Sequence, residues 1–131
     1  MMQMNNNEVK KILLADDDEL ICNLFTLFVK KYFPHATITC CFTGQSTLEK
    51  IKNDGPFDLL LIDQNMPEGT GADVYQYIKN NQIDTPFVLV STDNISAHPE
   101  FDDLLEHNPK NGYLQKPVSK KQFYQLVAKY I

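Results

Sequence analysis

Apolar residues along the chain fall into short blocks of two kinds, and the two kinds alternate. Lys11-Ile12-Leu13-Leu14-Ala15 is an apolar run that stops at Asp16-Asp17-Asp18. With no polar alternation, it predicts a strand covered on both faces, as in a parallel sheet. From Glu19 on, Leu20, Ile21, Leu24, Leu27 and Phe28 recur at helical spacing, so a helix is predicted to about Phe33, ahead of Pro34. Ala36 to Phe42, with Thr37, Ile38 and Thr39, predicts a second strand. Thr43-Gly44 follows, and Leu48 and Ile51 mark a second helix ending near Asn53-Asp54-Gly55-Pro56. Asp58-Leu59-Leu60-Leu61-Ile62-Asp63 is a third, continuous apolar run that ends on a carboxylate, and Pro67 prevents its simple continuation.

Glu68-Gly69-Thr70-Gly71 reads as a flexible loop, and Val74, Tyr75, Tyr77 and Ile78 give a third helix to about Asn81. Pro86-Phe87-Val88-Leu89-Val90-Ser91 predicts a fourth strand. Thr92 to His98 is polar, and Pro99 suits the first turn of a helix. Phe101, Leu104 and Leu105 give that helix a short apolar face before Asn108-Pro109. A proline inside a helix costs about 3 kcal/mol or more. The fourth helix is therefore expected to be short or late-starting, after a loop from Asp93 to His98 that leans to disorder. Gly112-Tyr113-Leu114-Gln115-Lys116 predicts a fifth strand. Ser119 with Gln122 resembles a capping box, and Phe123, Leu126, Val127 and Tyr130 line a last helix. Strand followed by helix five times over predicts an α/β fold, a doubly wound parallel sheet with helices on both faces.

At 131 residues the chain reads as one domain with no linker or repeat. Residues 1–9 are polar and Asn-rich, and are expected to form a disordered N-terminal extension before a domain of residues 10–131. That start lacks the apolar core of a secretory signal, and no apolar run approaches a membrane span of ~20 residues. A cytoplasmic protein is expected. Net charge is −5 and every basic residue is Lys, which argues against a nucleic-acid footprint. Cys22, Cys40 and Cys41 form no C-x-x-C pair and fit small core residues in a reducing compartment. Cys40 and Cys41, adjacent in a strand, would point to opposite faces.

A parallel sheet puts the carboxyl ends of all its strands on one edge, where ligands and chemistry collect. The residues ending the runs are Asp16 and Asp17, Asp63, Ser91 and Lys116. Polar strand ends are common one by one. The set is more telling: three carboxylates, a hydroxyl and an ammonium, delivered by four strands. Three carboxylates together repel one another, and a hard divalent cation relieves this. Such a site could share out the charge of an incoming phosphoryl group, and a carboxylate can itself accept that group covalently.

The chain resembles the receiver domain of two-component response regulators, over roughly Lys10 to Ile131. The matching motifs are Ile12-Leu13-Leu14-Ala15-Asp16-Asp17, Asp58 through Pro67, Ser91 after its apolar run, and Tyr113-Leu114-Gln115-Lys116-Pro117. The resemblance implies a flavodoxin-like (βα)5 fold of strand order 2-1-3-4-5. It implies that Asp63 is the phosphoacceptor and that Asp16 and Asp17, with the backbone carbonyl of Asn65, join Asp63 in holding Mg²⁺ (or Mn²⁺ in its place). Ser91 would be the switch hydroxyl, Lys116 the ammonium that pairs with the acceptor, and Tyr113 the switch aromatic. Lys116-Pro117 would be cis. Asn65 and Asp93 match positions that flank the path of the attacking water and, with Thr92, would tune phosphoryl lifetime; the alternative for Asp93 is a solvated loop residue.

Other residues read differently. Asp18 suits a helix N-terminus facing the macrodipole. His35, His98 and His107 are scattered and read as surface residues. Thr92 departs from the family, where the residue after the switch hydroxyl is small; its bulk could crowd donor access. The prolines around the fourth helix put the family's usual output face in doubt, though not the chemistry at Asp63.

The expected function is that of a stand-alone response regulator, since the chain ends right after its fifth helix; a domain cut from a longer protein would read the same. Its partners would be a sensor histidine kinase or histidine phosphotransfer protein and a downstream protein target, with no direct nucleic-acid or membrane contact. It would not be a turnover enzyme but would assist its own phosphorylation and dephosphorylation. The alternative is an interaction module that keeps the fold without the switching. A dehalogenase-type phosphatase would want an Asp at Asn65, and no Gly-rich loop follows the first strand to bind nucleotide or flavin.

Overall fold

The computed structural model describes residues 9–131. The expected disorder of the first residues therefore lies outside the described residues, except at Val9. The elements are β1 (Lys10–Ala15), α1 (Glu19–Tyr32), β2 (Ala36–Cys41), α2 (Gly44–Asp54), β3 (Leu59–Ile62), α3 (Gly71–Asn80), β4 (Phe87–Ser91), α4 (Leu104–His107), β5 (Gly112–Gln115) and α5 (Lys120–Val127). Five strands pair in parallel in the order β2-β1-β3-β4-β5. The central strands β3 and β4 are buried along their whole length, as their unbroken apolar runs require.

Strand alternation sends side chains into two cores. Leu13, Ala15, Leu60, Ile62, Phe87 and Leu89 pack under α2, α3 and α4. Ile12, Leu14, Leu59, Leu61, Val88 and Val90 pack under α1 and α5, against Phe25, Phe28 and Phe123. Cys41 and Cys40 divide between the two, as expected of neighbours in a strand.

Helix starts follow the side chains that can cap them. Asp18 accepts from the Leu20 N–H at 2.9 Å, while Thr43, Thr70 and Ser119 each close a capping box. The segment Glu68 to Gly71 is therefore not the free loop that its glycines suggest. Thr70 is the N-cap of α3 and Gly71 its first residue.

The fourth helix is short, with four residues. Before it, Asp93 to His98 is not irregular: Asn94 caps a 3-10 turn at Ile95–Ala97, and a second turn follows at Pro99–Phe101. The short side chain of Asn94 supplies the missing acceptor, bonding both the Ser96 N–H and its hydroxyl. No helix among the described residues is long and apolar enough to cross a membrane.

Candidate functional site

The carboxyl ends of β2, β1 and β3, and those of β4 and β5, are joined by backbone bonds that run one step past the regular ladder. The Asp16 N–H donates to the Cys41 carbonyl at 3.0 Å, the Asp63 N–H to Ala15 at 2.8 Å and the Lys116 N–H to Ser91 at 2.8 Å. Register then does the placing. Ala15 lies opposite Ile62, so Asp16 and Asp63 leave the sheet side by side.

Asp16, Asp17 and Asp63 each offer a carboxylate oxygen, and these lie within 4.8 Å of one another. Asp16 is buried, Asp63 is 6% exposed and Asp17 faces solvent. Lys116 reaches over from β5, with its Nζ 2.6 Å from Asp16 Oδ2 and 3.5 Å from Asp63 Oδ2. Its tighter partner is thus Asp16. Asp16 Oδ2 is buried and has no hydrogen-bond donor of regular geometry, only this ion pair. Asp16 Oδ1 accepts from the Asp18 N–H at 2.9 Å.

Burial raises the Asp63 carboxyl, and the neighbouring Asp16 charge raises it further. The Lys116 ammonium and the backbone N–H groups of Asn65 and Gln64 act the other way, and the balance stands at about 6. Burial lowers Lys116, but Asp16 and Asp63 outweigh it and hold the ammonium above its ordinary value. An all-oxygen cluster with an under-bonded buried carboxylate atom suits a hard cation such as Mg²⁺, for which Asp16, Asp17 and Asp63 are the available side-chain ligands.

Ser91 is fully buried at the end of the next strand, and its Oγ accepts from the Asp93 N–H at 3.2 Å. Asn65, Thr92 and Asp93 are exposed on the rim. Tyr113 is half-buried and packs on the α4 side, and its hydroxyl donates to the Asp93 carbonyl. The Lys116-Pro117 bond is cis, as is Gly55-Pro56.

Three features were not read from the sequence. Gln64 is buried and its Oε1 accepts from the Ala72 N–H at 2.8 Å, so the residue after Asp63 caps α3. Gly44 lies so close to the loop after Asp63 that a Cβ there would come within 2.3 Å of the Gly69 carbonyl oxygen. His98 is not a free surface residue: its side chain is 13% exposed and Nε2 lies 3.3 Å from Asp93 Oδ2. Nothing in the sequence linked Gly44 to Gly69 or His98 to Asp93.

A doubly wound sheet with an acidic cluster at its carboxyl edge defines a narrow class of fold and site. The model of the response regulator receiver domain matches residues 12–128, and the chain belongs to that family. It is 24% identical to the two-component response regulator ORR41 of Oryza sativa subsp. japonica, over 92% of this chain and 93% of that protein. It is 31% identical to the transcription factor SKN7 of Candida albicans over 92% of this chain, but spans only 20% of that protein's length. For the transcriptional regulatory protein CrdR of Helicobacter pylori, the figures are 30% identity, 82% of this chain and 48% of the relative.

Among solved structures, a CheY-like receiver domain protein of Methanospirillum hungatei JF-1 superposes with a TM-score of 0.79 at 20% identity, covering 93% of both chains. The chemotaxis protein CheY4 of Vibrio cholerae gives 0.78 at 19%, covering 95% of this chain and all of that one. Both likenesses establish the flavodoxin-like fold. Receiver domains are signalling domains of two-component systems, and they act with histidine kinases and phosphotransfer proteins.

Proposed function

We propose that this receiver accepts a phosphoryl group on Asp63 from the phosphohistidine of a sensor histidine kinase or histidine phosphotransfer protein. In the transfer, the P–N bond to the donor imidazole breaks, a P–O bond to an Asp63 carboxylate oxygen forms, and the imidazole leaves with a proton. The observation that carries this reading is the meeting of Asp16, Asp17 and Asp63 within 4.8 Å, with the Lys116 ammonium reaching into them. With a carboxyl value of about 6, Asp63 is mostly ionised at neutral pH and able to attack.

Asp16, Asp17 and Asp63, with the Asn65 backbone carbonyl, would hold Mg²⁺ or Mn²⁺. The ion supplies positive charge for the transferred phosphoryl oxygens. Lys116 supplies a second charge and, once the phosphoryl group arrives, is drawn from Asp16 toward it. Ser91 turns its hydroxyl from the Asp93 N–H to a phosphoryl oxygen, which frees the Thr92–Asp93 backbone that Tyr113 also holds. Asn65, Thr92 and Asp93 set how readily water reaches the phosphoryl group. The readout is a protein–protein contact, and the match to nearly all of ORR41 supports a stand-alone regulator.

Incubation with Mg²⁺ and a small phosphodonor tests this by intact mass. An adduct of about 80 Da, one phosphoryl group, is expected, and it should be absent from Asp63→Asn. No adduct with any donor overturns the reading in favour of a phosphorylation-independent module.

A further inference from the structure

The helices on one face of the sheet carry a charge pattern that the acidic edge does not use. No Asp or Glu occurs between Leu20 and Leu48 or beyond Glu106, although the chain has seventeen of them. These two stretches hold seven of the twelve lysines. They include α5 and all of α1 after its first residue, Glu19, and the two helices pack together through Phe25, Phe28 and Phe123.

Beside that core, Tyr32 and Tyr124 meet edge to face with ring centres 5.5 Å apart, and Phe33 stacks on Tyr124 at the same distance. Tyr32, Lys120, Lys121 and Tyr124 line a shallow groove, and Lys31 Nζ lies 5.5 Å from the centre of the Tyr32 ring. Lys30, Lys31, Lys120 and Lys121 are exposed, and none has a carboxylate within ion-pair distance among the described residues. Leu24 and Leu27 share the face of α1 that leads to Lys31, and Leu27 is 63% exposed.

We propose that the α1–α5 groove docks an acidic protein segment, whose carboxylates meet Lys30, Lys31, Lys120 and Lys121 while an apolar side chain lies on the tyrosine pair. Charge complementarity selects this occupant. The molecule as a whole is negative, so an extended polyanion such as DNA or an anionic bilayer is repelled at long range. A short segment seated in the groove feels mainly the lysines within a Debye length of about 8–10 Å. The patch also lacks Arg, whose forked guanidinium suits phosphate. Exposed Tyr and Leu offer apolar area that a phosphate backbone would leave bare.

The test is titration of the isotope-labelled full chain with a synthetic peptide of repeating Glu-Glu-Leu-Phe, followed by amide NMR. Shifts are expected at Lys30 to Phe33 and Lys120 to Tyr124. Lys120→Glu/Lys121→Glu should weaken binding about tenfold or more. Acidic side chains in the first turn of α5 suit its macrodipole, so this variant should keep its melting temperature. Lys50→Glu/Lys52→Glu on α2 should bind as the parent does.

The proposal is overturned by no binding, by shifts centred elsewhere, or by full affinity in the Lys120/Lys121 variant. It is also overturned if a DNA duplex or phosphatidylserine vesicles bind more tightly than the peptide. Asp63→Asn should retain the peptide, so the groove and the phosphoacceptor reading stand or fall separately.

Discussion

The loop around Asp63 is tied to neighbouring elements largely backbone to backbone, whereas the segment from Thr92 to Asn111 is tied to its neighbours by side chains. The loop after β3 is stitched to the start of α2 by Gly44 N–H to Pro67 carbonyl at 3.2 Å and Gln45 N–H to Glu68 carbonyl at 2.8 Å. Gly44 and Gly69 touch directly, and a Cβ on Gly71 would lie 2.5 Å from the Asp63 carbonyl oxygen. Among the described residues, the α4 region makes no such backbone bonds to another element, only local ones. Asp103 accepts from the Tyr75 hydroxyl at 2.8 Å and from Lys79 Nζ at 3.0 Å. Buried Asn111 accepts from the Phe87 N–H at 2.7 Å and donates to the Leu104 carbonyl at 2.9 Å. The first arrangement fixes positions and tolerates no added atom. The second can be loosened one side chain at a time. A site that must hold charges in register gains from the first, and a surface that must change gains from the second.

The contrast breaks most sharply at Gly44. Gly44→Ala forces a backbone shift, with an expected cost of about 3 kcal/mol and a Tm lower by on the order of 10 °C. Urea denaturation measures the first and a thermal melt the second. Melting with the parent would show that the rim is not locked as described. Next is Asn111→Ala, which strands the Phe87 N–H and leaves the Leu104 carbonyl only its longer bond from the Asn108 N–H, at 3.3 Å. About 2 kcal/mol is expected, with faster hydrogen exchange confined to α4 and its approach.

Charge separates the two regions as well, because the rim buries the Asp63 carboxylate and sets it beside Asp16, whereas the α4 side keeps its carboxylates exposed or paired. The folded Asp63 carboxyl, at about 6, holds its proton more tightly than the unfolded one. The folded state is therefore favoured at low pH, and this stability is lost as pH climbs from near 4 through about 6. Lys116, raised above its ordinary value, gives stability that is lost only on the alkaline side, so it leaves this window untouched. Asp63→Asn should flatten the slope and stabilise the protein at pH 7, without divalent cation, by on the order of 2 kcal/mol. Millimolar Mg²⁺ should raise the Tm of the parent, and Asp17→Asn should weaken that response. An Asp63→Asn variant no more stable than the parent would remove the cost of burying the Asp63 charge beside Asp16 from the account.

How much of this the sequence displayed follows from the same contrast. Strands buried on both faces write themselves as unbroken apolar runs, so β1, β3 and β4 were legible along with the carboxylates that end the first two and the Ser91 hydroxyl that ends the third. Parallel pairing then put Asp16, Asp63 and Lys116 on one edge without further information. The locking contacts were not legible. Gly44 against Gly69 is a meeting of two backbones 25 positions apart, and a glycine carries no sign of what it touches. The approach of His98 to Asp93, and the 3-10 turns that replace a full fourth helix, depend on polar side chains whose neighbours are fixed only by the fold. Thr92 to His98 accordingly read as loop.

The smallest effect is expected at Tyr113, where the two regions meet. Its hydroxyl donates to the Asp93 carbonyl, while the Asp93 N–H also donates to Ser91 Oγ and His98 packs beside the Asp93 carboxylate, so the loop has other holds. Tyr113→Phe keeps the packing against the α4 side and removes one partly exposed hydrogen bond. About 0.5 kcal/mol is expected in urea denaturation, with exchange at Asn94 to His98 quickened more than anywhere else. The rim should be unaffected, so Mg²⁺ should raise the Tm of Tyr113→Phe as much as that of the parent. A loss above about 1.5 kcal/mol would mean that a single bond carries the loop. A weakened response to Mg²⁺ would mean that the side-chain-held region reaches into the rim, and that the two are one unit after all.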